Sequence, residues 1–110
     1  MNYAYIRVST EKQTVENQKL VIKEFCRCHR IAKLNWISES ISGTKNPEKR
    51  KLGELINHVN EGDVVVITEL SRLGRSLIMI FNVLQIFLEK KVNVIAIKEN
   101  YELGETYSQK

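Results

Sequence analysis

An arginine and a serine stand two residues apart in the segment Arg7-Val8-Ser9-Thr10 near the start of the chain. Residues i and i+2 of a β-strand point to the same side, so the Arg7 guanidinium and the Ser9 hydroxyl are expected to project together. Taken singly, each has a simpler structural explanation: Ser9 as a turn or helix-cap hydroxyl, and Arg7 as half of a structural ion pair. Taken together, the structural and the chemical explanations are about equally good.

Two further arginines, Arg72 and Arg75, stand three residues apart in the segment 69–76. If a helix begins by that point, the two side chains share one helix face. Two guanidiniums beside a helix N-terminus repel each other and the helix dipole, unless an anion binds there. Phosphate suits such a site because it accepts paired hydrogen bonds from arginine. The alternative is that both arginines are simply solvated, and we favour the anion site.

The apolar pattern predicts the elements that must position these residues. The clearest helix is expected to begin at Asn46-Pro47 and to stop at Gly62. The run Val64-Val65-Val66-Ile67 is typical of a strand covered on both faces. The remaining expected elements are strands at 3–8, 34–39 and 92–97 and helices at 15–30 and from about 77 to 90.

Alternating strands and helices predict a three-layer α/β/α domain with a mainly parallel sheet of about four strands. We assign residues 1–98 to this domain. Residues 99–110 are polar and without periodicity, and we assign them to a tail that begins a connection to further regions. Parallel sheets place their sites outside the carboxyl ends of the strands, which is where Ser9 and the arginines of segment 69–76 are expected.

The bulk composition is that of a soluble globular domain, with 110 residues, 43% hydrophobic and 27% charged. No apolar run approaches the ~20 residues that a membrane span needs, and the N-terminus does not resemble a signal peptide. We therefore expect a cytoplasmic protein with no membrane partner. The net charge of +4 indicates a polyanionic partner only if the cations cluster.

The cysteines and histidines do not suggest a metal site or a catalytic triad. Cys26 and Cys28 stand two apart in an expected helix, where they do not face each other, so they are interpreted as ordinary reduced thiols. His29 and His58 lie late in expected helices, away from the carboxyl ends of the strands. We expect neither a metal nor a cofactor.

Two separated segments resemble the motifs of one enzyme family. Tyr5-Ile6-Arg7-Val8-Ser9-Thr10 looks like the nucleophile segment of the resolvase/invertase serine recombinases, and Leu70-Ser71-Arg72-Leu73-Gly74-Arg75 resembles their second arginine motif. Glu39 before Ser42-Gly43, and Glu61-Gly62-Asp63 before the third strand, also match. The resemblance extends from strand one to strand four, and two motifs in the right order make it specific.

The resemblance implies that Ser9 is the nucleophile and that three arginines bind the scissile phosphate, namely Arg7, Arg72 and Arg75. Gln13 and Gln18 occupy positions where the family often has glutamines near its site, although both also suit a helix start. A further family arginine falls near residues 49–50, and we assign it to Arg50.

One position departs from the family pattern. Ser71 stands where many members have aspartate, so any role of that carboxylate in orienting an arginine or moving a proton must be weaker or be supplied elsewhere. Glu69 and Glu39 are the candidates to supply it.

The resemblance further implies a DNA site-specific recombinase that works without metal or ATP. Ser9 attacks a phosphate of double-stranded DNA, forms a 5′-phosphoserine intermediate and later returns the bond, in dimers that pair into a tetramer. The arginines would stabilise the charge of the transition state and favour ionised Ser9. Two other classes stay open: a regulatory module that binds DNA or phosphate without cutting it, and a small-molecule phosphoesterase.

Overall fold

Short apolar runs form five strands and longer amphipathic stretches form three helices in the computed structural model, which describes residues 1–8, 15–40 and 51–104. The strands are β1 (Asn2–Val8), β2 (Leu34–Ser40), β3 (Val64–Ile67), β4 (Asn93–Ala96) and β5 (Tyr101–Leu103). The helices are α1 (Val15–His29), α2 (Lys51–His58) and α3 (Leu77–Glu89). A single 3-10 turn at Leu70–Arg72 follows β3.

The strands form one sheet in the order β2-β1-β3-β4-β5. The first three pairings are parallel and only β5 runs antiparallel to its neighbour β4, which confirms a mainly parallel sheet. Strand β5 is not predicted by the apolar pattern and lies in the range 99–110 that we assign to a polar tail. The ordered sheet therefore extends beyond residue 98, to Leu103.

Helices cover both faces of the sheet, so the three-layer architecture is confirmed. On one face, Ile22 and Cys26 of α1 pack against Ala4, Ile6 and Val66. On the other face, α2 and α3 pack against alternate residues of the same strands. All four residues of β3 are buried, as expected for a strand between two helical layers. No helix in the described ranges has the length and apolar character needed to cross a membrane.

One helix boundary differs from its predicted position. Helix α2 ends at His58, four residues before Gly62, and the chain then turns through Gly62 at a φ of +90°. Glycine suits this left-handed conformation, so Gly62 shapes the turn into β3 and does not end the helix. The predicted helix start at Asn46-Pro47 lies outside the described residues.

The chain reverses its direction of strand addition between β1 and β3. From β1 it first adds β2 on one side, and it then crosses back to add β3 on the other side. Such a switch point leaves a crevice at the carboxyl ends of the two strands, and ligands of open α/β sheets bind in this crevice. The crevice lies between the end of β1, at Arg7 and Val8, and the turn at Leu70–Arg72.

Candidate active site

The Arg7 side chain turns inward at the carboxyl end of β1 and is only 6% exposed. Its Nε donates to the carbonyl oxygen of Arg72 at 3.2 Å and its Nη2 donates to that of Ser71 at 2.9 Å. Carbonyl oxygens are neutral acceptors, so these two bonds satisfy N–H donors without cancelling the positive charge. The turn after β3 is thereby tied to β1.

Arg72 makes the reverse connection. Its Nη1 donates to the carbonyl oxygen of Arg7 at 3.0 Å, and its Nη2 forms an ion pair with Glu69 Oε1 at 3.0 Å. The side chain of Arg72 is 12% exposed and that of Glu69 is 24% exposed, so water screens this pair less than a surface pair. Lys98 approaches the other carboxylate oxygen of Glu69 at 3.7 Å.

Arg72 and Arg75 do not share a helix face, contrary to the condition considered in the sequence analysis. Helix α3 begins only at Leu77, with Ser76 as its N-cap, whose Oγ accepts from the Met79 N–H at 3.2 Å. Arg72 therefore lies in the 3-10 turn and points into the crevice, whereas Arg75 is exposed. The two guanidiniums occupy different environments, and Arg75 is the one that solvent reaches.

Gln18, in the second turn of α1, reaches the same main-chain group of β1. Its Nε2 donates to the carbonyl oxygen of Arg7 at 3.1 Å, and the residue is 6% exposed. Its Oε1 is buried and has no hydrogen-bond partner within the part of the chain that the structure describes. The Arg7 carbonyl thus accepts from both Gln18 and Arg72, which fixes the backbone next to the position predicted for the nucleophile.

Thr68, the residue after β3, is not among the site residues predicted from the sequence. Its Oγ1 is also buried, with no hydrogen-bond partner among the described residues. The alternation along β3 places Thr68 on the α1 side of the sheet, the side from which Gln18 reaches β1. A lone threonine at a strand end gives no signal in sequence, because many such hydroxyls bond locally.

Glu39 has a structural role in this arrangement. Its Oε1 accepts from the Lys51 N–H at 2.8 Å and its Oε2 accepts from the Leu52 N–H at 3.3 Å, so the carboxylate caps the first turn of α2. The hydroxyl of Tyr5 also donates to Glu39. Of the two carboxylates considered as substitutes for the missing aspartate, Glu69 is the one that pairs with an arginine of the second motif.

Of the remaining predicted site residues, Ser71 lies in the described part of the chain and the others do not. Ser71 is exposed and contributes its carbonyl oxygen, not its hydroxyl, to the contact with Arg7. A main-chain carbonyl is present whatever the side chain, so serine at this position leaves that contact intact. Ser9, Gln13 and Arg50 lie outside the described residues.

The histidines and cysteines lie away from the crevice. The Nδ1 of His29 lies 2.9 Å from the Phe25 carbonyl oxygen and that of His58 lies 2.9 Å from the Glu54 carbonyl oxygen, at the ends of their helices. Cys26 is buried and Cys28 is exposed, and both are free thiols. Within the described ranges, no group of three or more His, Cys, Asp or Glu side chains could hold a metal.

Comparison with known proteins relates the chain to one family. The family model for the resolvase N-terminal domain matches residues 2–110. A resolvase of Clostridium perfringens is 33% identical over 101 residues, covering 92% of this chain and 51% of that protein. The transposon Tn917 resolvase of Enterococcus faecalis is 34% identical over 102 residues, covering 93% and 52%. The chain thus spans about half the length of these relatives.

Solved structures show the same fold. The N-terminal catalytic domain of TP901-1 integrase superposes with a TM-score of 0.76 at 21% identity, covering 93% of this chain and 81% of that one. A resolvase family site-specific recombinase from Streptococcus pneumoniae superposes with a TM-score of 0.64 at 24% identity, covering 92% and 74%. With the family model matched over nearly all of its length, the chain belongs to the resolvase family and corresponds to the N-terminal domain of its members.

Proposed function

We propose that this chain is the catalytic domain of a serine recombinase and that Ser9 is its nucleophile. The observation that carries the proposal is the reciprocal contact of Arg7 and Arg72 at the switch point of the sheet. Ser9 follows Val8, the last residue of β1, directly in the sequence. Two guanidiniums are therefore anchored beside the main chain that carries the proposed nucleophile.

The proposed reaction is a transesterification of double-stranded DNA. The Oγ of Ser9 forms a bond to the phosphorus, the bond between phosphorus and the 3′ oxygen breaks, and the hydroxyl proton passes in net terms from Ser9 to that 3′ oxygen. The product is a 5′-phosphoserine linkage and a free 3′ hydroxyl. Because one phosphodiester replaces another, the strand can be rejoined after exchange by the reverse reaction, without ATP.

The three arginines would act on the phosphate in different ways. Arg7 and Arg72 are held by the protein, so they can stabilise developing charge with little reorganisation. Arg75 is exposed and can move to a phosphate oxygen when DNA arrives. Each well-placed donor of this kind is worth about 3–4 kcal/mol of transition-state stabilisation. Gln13, Gln18 and Arg50 remain proposed supporting residues.

Self-association is part of the same proposal. The outer face of α3 exposes large apolar side chains, with Leu77 at 69%, Ile78 at 74% and Phe81 at 60% exposure. Apolar patches of this kind mark interaction surfaces in soluble proteins. They support the assembly into dimers, and of dimers into a tetramer, that the family resemblance implies.

A trapping experiment tests the proposal. Full-length protein is incubated with labelled DNA that carries its recombination site, denatured with detergent and resolved by electrophoresis. We expect a covalent protein–DNA species whose peptide map places the adduct on Ser9, absent in Ser9→Ala and retained in the control Ser38→Ala. Bound but uncut DNA would indicate a regulatory module, and hydrolysis of small phosphate esters by Ser9 without a DNA adduct would indicate a phosphoesterase.

A further inference from the structure

Trp36 lies on the edge strand β2 beneath two lysines of α1. The Nζ of Lys19 is 5.7 Å from the centroid of the indole ring and that of Lys23 is 6.0 Å from it. The two lysines are four residues apart, so they project from the same face of the helix. We call Lys19, Lys23 and Trp36 the Trp36 face.

The positive charge of this face is not neutralised by the described protein. Lys19 approaches Glu16 at 4.0 Å, but Glu16 is 80% exposed, so the attraction is weak. No ion pair within the described ranges involves Lys23. Like charges at i and i+4 destabilise a helix slightly, and cation–π contacts worth about 0.5–1 kcal/mol each at exposed sites offset this cost. The indole ring thus holds two cations together while leaving their charge available.

The Trp36 face is connected to the candidate active site through helix α1. Lys19 follows Gln18, whose Nε2 contacts the Arg7 carbonyl oxygen at 3.1 Å. Lys19 and Lys23 are separated by about 6 Å along the helix axis at 1.5 Å per residue. Adjacent phosphates of one DNA strand rise about 3.4 Å along the duplex axis and also turn around it, so their direct separation exceeds this rise and is similar to the spacing of the two lysines. A duplex positioned at the crevice can therefore place consecutive backbone phosphates over this face.

We propose that the Trp36 face binds the sugar–phosphate backbone of the DNA duplex beside the cleaved phosphate. Lys19 and Lys23 bind backbone phosphates and the indole ring packs against deoxyribose. Contacts to phosphates fix the position and register of a protein on the duplex without reading sequence, and this is the role we assign to the face. The inference rests on the proposed function only in taking duplex DNA as the substrate.

The chain contains a single tryptophan, so Trp36 fluorescence reports on this face alone. A labelled mixed-sequence duplex is titrated into the chain at several salt concentrations, with probe anisotropy and indole emission recorded together. The test variant is Lys19→Gln with Lys23→Gln. The control is Lys33→Gln with Lys91→Gln, which removes two exposed cations at the amino ends of β2 and β4. Each double variant removes two positive charges from the net +4, so a general charge effect is matched.

We expect DNA to change the Trp36 emission of the unmodified chain and of the control. The test variant should lose this response, and its plot of log affinity against log salt should be shallower by about 1–2, since each phosphate contact contributes about 0.9. Equal losses in the test and control variants would overturn the inference. So would DNA binding that leaves the emission unchanged, or no binding up to about 10⁻⁴ M duplex, the weak limit of non-specific binding.

These titrations, combined with the trapping experiment on full-length protein and its recombination site, distinguish this inference from the proposed function. Ser9→Ala should abolish the covalent adduct while leaving the emission response and the salt dependence unchanged. An adduct on Ser9 without any change in Trp36 emission would refute the backbone contact and leave the proposed recombinase function standing. An intact emission response without any adduct would support the backbone contact and refute the proposed recombinase function.

Discussion

Arg7 and Arg72 each hold the main chain of the other. The Arg7 side chain donates to the carbonyl oxygens of Ser71 and Arg72 at 2.9 and 3.2 Å, and the Arg72 side chain donates to the carbonyl oxygen of Arg7 at 3.0 Å. Two segments 65 residues apart in sequence are thereby joined into one unit. Loss of either side chain frees part of the other, so we expect the effects of their mutations to depend on each other.

A double-mutant cycle measures this dependence. Arg7→Lys and Arg72→Lys keep the charge but lose the fork of paired donors, so each should slow adduct formation by about 10²–10³-fold. The double variant should be less impaired than the product of the single effects, with a coupling of about 0.5–3 kcal/mol in adduct formation and in urea unfolding. If the rate loss of the double variant equals the product of the two single losses, the two arginines act independently.

Glu69 should act as a positioning residue for Arg72. Glu69→Gln removes the charge that holds the Arg72 guanidinium, so we expect adduct formation to fall about tenfold or more while the domain stays folded. The matched control is Lys98→Gln, which removes only the longer contact to the same carboxylate. If Glu69→Gln slows the Arg72→Lys variant as much as it slows the unmodified protein, Glu69 does not act through Arg72.

Glu39 should matter for stability and not for chemistry. Glu39→Gln replaces one acceptor oxygen by an NH₂ group, so either the Lys51 N–H or the Leu52 N–H loses its acceptor and the cap of α2 is weakened. We expect a loss of about 0.5–2 kcal/mol in the free energy of unfolding, measured in urea, with adduct formation per folded molecule unchanged. The control Glu54→Gln alters a carboxylate on the same helix and should cost less. A catalytic defect in Glu39→Gln exceeding its loss of folded protein would contradict this assignment.

Gly74 lies between the 3-10 turn at Leu70–Arg72 and helix α3, and it packs closely against Met79. A Cβ at this position would lie 2.7 Å from the Cβ of Met79, which is too close for two carbon atoms. Gly74→Ala should therefore destabilise the fold by about 1–3 kcal/mol and displace Arg75. Thermal unfolding and adduct formation measure the two effects, and Gly53→Ala on helix α2 serves as the comparison. An alanine variant with unchanged stability and activity would show that the turn accommodates the extra carbon.

The two thiols should differ sharply in reactivity. Burial raises the pKa of Cys26 from an ordinary 9.0 to about 11, so this thiol stays protonated and unreactive while Cys28 is exposed. Ellman's reagent should label Cys28 at once and Cys26 only on unfolding. Because the Cys26 thiol ionises at a lower pH in the unfolded than in the folded chain, the free energy of unfolding should be unaffected by this group below pH 9.0 and should fall as the pH rises towards about 11. Rapid labelling of both thiols at neutral pH would contradict the prediction.

The fold followed from the sequence because its patterns were local and strong. The buried run at 64–67 and the helical spacing of Ile80, Leu84 and Phe87 specified their elements nearly to the residue. Strand β5 was missed because it has only three residues, all half-buried, and it is stabilised by pairing with β4 and not by its own composition. The spacing of apolar residues along the chain does not reveal stabilisation that comes from pairing with another strand.

The sequence predicts which residues belong to the candidate site, but it does not predict which of them contact each other. The segment that contains Arg72 and Arg75 is identified from residue types, and the start of α3 at Leu77 agrees with the predicted helix. The inward position of Arg72 and the exposed position of Arg75 are not visible in the sequence. Likewise, nothing in the sequence distinguishes Glu39 from Glu69 as partners for an arginine. Which carboxylate caps a helix and which one binds a guanidinium is decided by tertiary distances.

The position of the crevice between β1 and β3 also has a consequence for timing during synthesis. β1 is translated first, but its partner strand ends at Ile67 and the arginine that completes the crevice is Arg72. Long-range strand pairing forms slowly and only after the intervening chain exists. We therefore expect a nascent chain that has exposed residues 1–9 to lack the Arg7–Arg72 contact until β3 docks against β1.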